Sequence, residues 1–87
     1  MGHRVILPRS TQKELDRINE PATQKILKKL HELRENPRPS DCKKLTAREA
    51  WRVRVGDYRI IYEIDDKEKA VTIFTIRHRR DAYRSKN

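Results

Sequence analysis

A chain of 87 residues has the length of one domain, read here as spanning 1–87. A domain this small buries only about 60–65% of the surface its unfolded chain exposes. The balance of 22 Lys+Arg against 13 Asp+Glu gives a net charge of +9 and a pI near 10.1, which points to a polyanionic or acidic partner. No apolar run approaches the ~20 residues of a membrane span, so no membrane partner is expected. Cys42 is the only cysteine, which excludes an internal disulfide and fits a reducing compartment. The opening "MGHRVILP" has a charge but no apolar core of signal-peptide length, so the expected location is the cytoplasm. The three histidines lie far apart and no Cys/His set has zinc-ligand spacing. No metal or other cofactor is expected. Charged residues outnumber hydrophobic ones, 40% to 34%, a balance typical of disorder. The apolar residues are strongly periodic, however, and that argues for a folded body.

In chain order, "RVIL" at 4–7 is a short β-branched run ended by Pro8, and reads as a strand. "STQKELDRI" follows. Thr11 with Glu14 three residues later forms a capping-box signature, with Ser10 an alternative cap. Leu15 and Ile18 supply the apolar stripe of this first helix. "NEPATQ" is a turn, since Pro21 suits a first helical turn and not an interior. In "ATQKILKKLHELREN", Ala22, Ile26, Leu27, Leu30 and Leu33 recur at helical spacing. Lys25, Lys28, Lys29, Glu32 and Glu35 fall on the opposite side. "NPRPS" ends the helix, because a residue before proline is biased away from helical geometry. Residues 37–48 read as a polar loop with one apolar anchor, Leu45.

Three strand signals then arrive close together: "AWRVRV", "YRIIYEI" and "AVTIFTI". Gly56-Asp57 suits a two-residue hairpin of type II′ or I′. "DDKEK" makes a longer, charged turn. The chain ends in the basic "RHRRDAYRSKN". The order β-α-α-β-β-β predicts an α+β fold in two layers. A helical hairpin covers one face of a mostly antiparallel four-stranded sheet, and the other face has no helix left to cover it.

A loop of Gly56-Asp57 sets the register. Val55 falls opposite Tyr58, Arg54 opposite Arg59, Val53 opposite Ile60, Arg52 opposite Ile61 and Trp51 opposite Tyr62. The two-residue period then places Trp51, Val53, Val55, Tyr58, Ile60, Tyr62 and Ile64 under the helices. Arg52, Arg54, Arg59, Ile61 and Glu63 share the open face. Like charges directly opposite cost on the order of several tenths of a kcal/mol, so the Arg54–Arg59 pair either is ordinary solvated surface or serves an anion.

The end of the last strand adds Arg77, His78, Arg79 and Arg80, with Tyr83 close behind. An antiparallel meander brings these near Tyr58. Guanidinium groups donate paired hydrogen bonds to phosphate, and an aromatic ring beside them can stack on a base. Lys43 and Lys44 extend the candidate RNA-binding set with Arg77 and Arg80. RNA can be cleaved by its own 2′-hydroxyl, given in-line positioning, charge stabilisation, a base and an acid. Arg52, Arg54 and Arg59 are candidates for holding the phosphate. Histidine is the side chain suited to proton transfer near neutrality, which nominates His78. Tyr83 could act as a base only where cations depress its phenol. Arginine is too weak an acid for ordinary proton transfer, so the residues alone define an anion site with incomplete acid–base chemistry.

The stretch "NPRP…CKKL…WRVRVGDYRIIYEIDDKEKAVTIFTIRHRRDAY", from Asn36 to Tyr83, resembles the RelE side of the RelE/ParE superfamily of type II toxin–antitoxin toxins. The resemblance implies a RelE-like fold and a small endoribonuclease that cuts messenger RNA, in many members while the message sits in the ribosomal A site. It also implies a cognate antitoxin that wraps the toxin, the 70S ribosome as a partner, and operator DNA contacted only through the antitoxin complex. Charge adds that the antitoxin segment covering the open face should carry carboxylates. By position, Arg52 and Arg54 match a basic pair on the first hairpin strand. Arg59 matches a phosphate contact, Arg79 an arginine assigned to the leaving group, and Tyr83 a tyrosine that stacks on a base or deprotonates the 2′-hydroxyl. Arg52 and Arg54 stand where some members have lysine, and Arg77 replaces a common glycine. The interval from Arg79 to Tyr83 is shorter than in some members. A ParE-like inhibitor of DNA gyrase and an inactive RNA- or ribosome-binding module are the alternatives.

Overall fold

The computed structural model describes residues 2–80. Its elements are β1 (Arg4–Ile6), α1 (Arg9–Asp16), α2 (Ala22–Glu35), β2 (Lys43–Lys44), β3 (Trp51–Val55), β4 (Tyr58–Asp65) and β5 (Ala70–His78). The strands form one sheet in the order β1-β5-β4-β3-β2. β1 runs parallel to β5 and the remaining pairs are antiparallel. The fold is α+β, as expected, but the sheet has five strands and not four. The extra one, β2, comes from the segment read as loop. Two lysines carry no hydrophobic alternation, so only pairing with Arg52 and Trp51 makes them a strand.

The core contains Leu15, Ile26, Leu30 and Leu33 from the helices and Val53, Ile60, Tyr62, Val71, Ile73 and Ile76 from the sheet. Trp51, Val55, Tyr58 and Ile64 pack against it partly buried, on the face the alternation assigned. Leu27 departs from the expected stripe and is 41% exposed. Tyr62 is fully buried, and its hydroxyl donates to the Pro37 carbonyl at 2.7 Å. That bond ties the segment after α2 to the centre of the sheet.

The expected capping box is not formed. α1 begins earlier, at Arg9, with Pro8 before it and no side-chain cap. Thr11 and Glu14 point instead at β5. β1 pairs only with Ala70–Thr72, which leaves the later half of β5 with an open edge. The Thr11 hydroxyl lies 2.7 Å from the Ile73 carbonyl oxygen and 2.9 Å from that of Phe74. The Glu14 carboxylate accepts from the Thr75 hydroxyl and the Ile76 amide, both at 2.9 Å. Side chains of a helix thus do the work of a missing strand, because buried backbone groups need partners.

The same stretch holds a bulge. Ile61 pairs with Thr75 but Tyr62 pairs with Ile73, so Phe74 is an extra residue on β5. Beyond it the two-residue period resumes shifted by one, and Ile76 returns to the core.

Candidate anion-binding face

The β3–β4 hairpin has the register read from its turn: Arg54 opposite Arg59 and Arg52 opposite Ile61. Gly56 has φ 59°, and Asp57 is not among the residues with positive φ. A glycine in the left-handed region followed by a residue outside it is the type II′ pattern and excludes I′. β5 extends the row, with Arg77 opposite Arg59 and His78 opposite Tyr58. Directly opposed residues share a face, so Arg54, Arg59 and Arg77 stand side by side across three strands. Lys43, paired with Arg52, lengthens the cationic strip at the β2 edge. Asp41, Lys43, Arg52 and Arg54 line a recess there.

Among the described residues these cations lack counterions: no carboxylate lies within 4.0 Å of the charged groups of Arg52, Arg54, Arg59, Arg77 or Arg79. The Arg59 Nε is buried and has no hydrogen-bond partner among them. Arg77 Nε reaches only the Thr75 hydroxyl oxygen, at 3.3 Å. Elsewhere on the described surface some cations are paired and others, such as Arg9, Lys13, Lys25 and Lys28, are not. Lys29 lies between Glu32 and Asp41, Arg38 on Asp66, Lys44 on Glu49 and Arg48 on Glu63. What sets the row apart is three directly opposed arginines with a buried Nε, unpartnered among the described residues, at the centre. This argues for an anion supplied from outside, for which guanidinium forks are well shaped.

The predicted residues separate into groups. Arg52, Arg54, Arg59, Arg77 and Lys43 come together on the open face. Lys44 does not, since it pairs with Trp51 on the other side of the pleat and with Glu49 at 3.1 Å. His78 shares the face of Tyr58, with ring centroids 5.1 Å apart, edge to face. Its Nδ1 accepts the Arg80 amide at 3.0 Å, which makes Nε2 the hydrogen-bearing nitrogen and a donor toward a ligand. The Arg79 amide donates to the Asp57 carbonyl at 2.6 Å, fastening the end of β5 to the hairpin turn. Asp57, His78, Arg79 and Arg80 line a recess beside that turn. Tyr83 lies outside the described residues. No group of three or more His, Cys, Asp or Glu side chains among the described residues could hold a metal ion.

Two open-face residues were not nominated from sequence. Phe74 is 50% exposed, and the Arg48 guanidinium sits 4.4 Å over its ring. The signal was present in the spacing: Val71, Ile73 and Ile76 are separated by two and then three residues. An odd interval inside a strand marks a bulge.

Comparison with known proteins decides the family. The sequence model described as ParE toxin of type II toxin–antitoxin system, parDE, matches residues 5–83. The chain belongs to this toxin family. Within the wider RelE/ParE superfamily, the fold is shared with several solved structures. The RelE–RelB complex of the archaeon Pyrococcus horikoshii contains a chain 28% identical, with a TM-score of 0.81, covering 91% of this chain and 97% of that one. The RelBE2 complex of Mycobacterium tuberculosis gives 21% identity and 0.80, covering 90% and 99%. A mutant of Escherichia coli RelE in the free state gives 20% and 0.78, covering 95% and 90%. No curated protein sequence matches significantly. A type II toxin of this family fits the basic composition, and among the described residues no helix is long and apolar enough to cross a membrane.

Proposed function

We propose that this toxin is an endoribonuclease that cleaves messenger RNA, acting in the ribosomal A site. The observation that carries the reading is the row Arg54–Arg59–Arg77, uncompensated among the described residues and centred on the buried Nε of Arg59. Arg52, Arg54 and Arg59 hold the scissile phosphate and offset the charge that builds on it. The 2′-oxygen bonds to phosphorus and the bond to the 5′-oxygen breaks. The products are a 2′,3′-cyclic phosphate and a 5′-hydroxyl end. The proton lost from the 2′-hydroxyl is balanced by one taken up from solvent at the 5′-oxygen, and no metal takes part and no water attacks the phosphorus. Arg79 stabilises the departing 5′-oxygen. Tyr83 takes the 2′-hydroxyl proton, since His78 Nδ1 already accepts the Arg80 amide and its Nε2 then carries hydrogen. Arg77, Arg80 and Lys43 contribute electrostatic attraction to the strand, while Lys44 faces away and is held by Glu49.

The structurally similar RelE chains include several solved in complex with RelB antitoxins, which supports a cognate antitoxin for this chain. A segment bearing carboxylates among Arg52, Arg54 and Arg59 would neutralise the site directly. Contact with operator DNA is assigned to the toxin–antitoxin pair.

The test is to map 5′ ends after the folded protein acts on translating ribosomes carrying a reporter message, with free RNA in parallel. New 5′-hydroxyl ends within codons are expected. Intact RNA in both reactions would overturn the assignment. The ParE description of the family model favours a second reading, inhibition of DNA gyrase without catalysis. Gyrase arrest in vitro that survives Arg79→Ala, with RNA left intact, would establish it.

A further inference from the structure

Phe74 is the most exposed large hydrophobic residue on the sheet, at 50%, and the bulge lets it share a face with Arg77 three residues on. Thr72 pairs with Glu63, whose face is that of Ile61 and Arg59. Phe74 follows Thr72 by two residues and so shares it. Arg48 lies over the ring at 4.4 Å and is held there by Glu63, at 2.7 Å. Ile61 continues the surface toward Arg59. We propose that the Phe74–Arg48 pair is a stacking site for one nucleobase of the RNA strand whose phosphate is held by the arginine row. The proposal rests on the ribonuclease reading above.

Three features select a base over other occupants. Phe74 precedes Arg77 by three residues, about 10 Å at ~3.3 Å per residue, so a nucleotide near the anchored phosphate can reach it. Arg48 is already neutralised by Glu63, so the pair offers flat π surface without net positive charge. A phosphate or a peptide carboxylate gains nothing there and is repelled by Glu63, whereas a neutral planar base stacks on the outer face of the guanidinium that lies over the ring, extending the stack. Finally, Glu14 and Thr11 hold the backbone on both sides of the bulge. The ring is therefore presented from a braced position, and stacking does not have to order it.

The experiment compares cleavage of messages carrying a single abasic ribonucleotide at successive positions on either side of the scissile phosphate. The messages are free or ribosome-bound, whichever the wild type cleaves. For the wild type, one abasic position should slow cleavage on the order of tenfold. Phe74→Ala should slow cleavage of the intact message by a similar factor and become insensitive to that abasic position. Phe74→Tyr, which keeps the ring, should behave as wild type and shows that the position tolerates change. Phe74→Ala that cleaves the intact message at the wild-type rate, or that remains sensitive to every abasic position, overturns the proposal. The same result with a weakened antitoxin complex assigns the patch to protein docking instead. Failure of the wild type to cleave any message defeats the ribonuclease reading itself, an outcome distinct from failure of Phe74→Ala alone.

Discussion

Arg54 and Arg59 stand directly opposite each other across β3 and β4, with no carboxylate in ion-pair reach of either among the described residues. The pairing costs stability and concentrates positive charge at one point of an uncovered sheet face. Removing one partner should therefore move stability and function in opposite directions. Arg54→Gln is expected to stabilise the fold by several tenths of a kcal/mol in urea denaturation at low salt. The gain should shrink toward zero at about 0.5 M salt, where charges are screened within a few ångströms. RNA cleavage by the same variant should fall by at least tenfold. A variant that is both less stable and fully active would show that the row is ordinary surface.

Thr11 is fully buried, and its hydroxyl serves carbonyls at the β5 bulge. Thr11→Val keeps the shape and removes the donor, leaving buried acceptors without a partner. The expected loss is about 1–3 kcal/mol in urea denaturation. Thr11→Ser should recover most of it. Equal stability of the valine variant would show that the bulge carbonyls find other donors.

Tyr62 gives the fold an alkaline limit. Burial pushes its phenol above the ordinary value of 10.0, and the neighbouring Cys42 thiol adds to the shift. A group whose folded pKa is raised lends stability that is fully present below its unfolded pKa and declines as pH rises beyond it. Chemical denaturation between about pH 9 and pH 11 should therefore show the wild type weakening. Tyr62→Phe should lose about 1 kcal/mol at neutral pH, the worth of the bond to Pro37. Its stability should then fall less steeply above pH 10. Parallel alkaline limbs for the two proteins would exclude Tyr62 as the source.

Gly56 is required by conformation and not by space. Its φ is 59°, and a Cβ added there would meet no atom within 4 Å. Gly56→Ala should cost about 1–2 kcal/mol through the left-handed backbone alone. Thermal melts can detect this, and Gly56→Asn should cost less, since asparagine tolerates that region. Because the turn sets the Arg54–Arg59 register, cleavage should fall with Gly56→Ala if the hairpin shifts. Alanine as stable as glycine would mean the turn has adopted another type.

Much of this site could be read in one dimension. A two-residue turn and strict alternation in "WRVRVGDYR" leave only one register that buries Trp51, Val53 and Tyr58, and that register aligns Arg54 with Arg59. The helical stripe of Ile26, Leu30 and Leu33 is equally local, because 3.6-residue periodicity depends only on neighbours in sequence. Family membership also followed from ordered motifs.

Tertiary structure decided the rest. Thr11 and Glu14 have the spacing of a capping box, yet a strand edge left open by the short β1 makes a stronger demand on their oxygen atoms than the helix end does. Leu27 fits the apolar stripe by spacing, yet it stays 41% exposed. Lys43 and Lys44 become a strand only because β3 offers hydrogen bonds, and the pleat then sends one lysine to the arginine row and the other to Glu49. Phe74 and Arg77, three residues apart, share a face because one inserted residue reverses the phase of β5. Alternation and turn chemistry are properties of adjacent residues, and these the chain states by itself. Which backbone groups remain unpaired, and which distant side chain satisfies them, depends on how the elements meet in space.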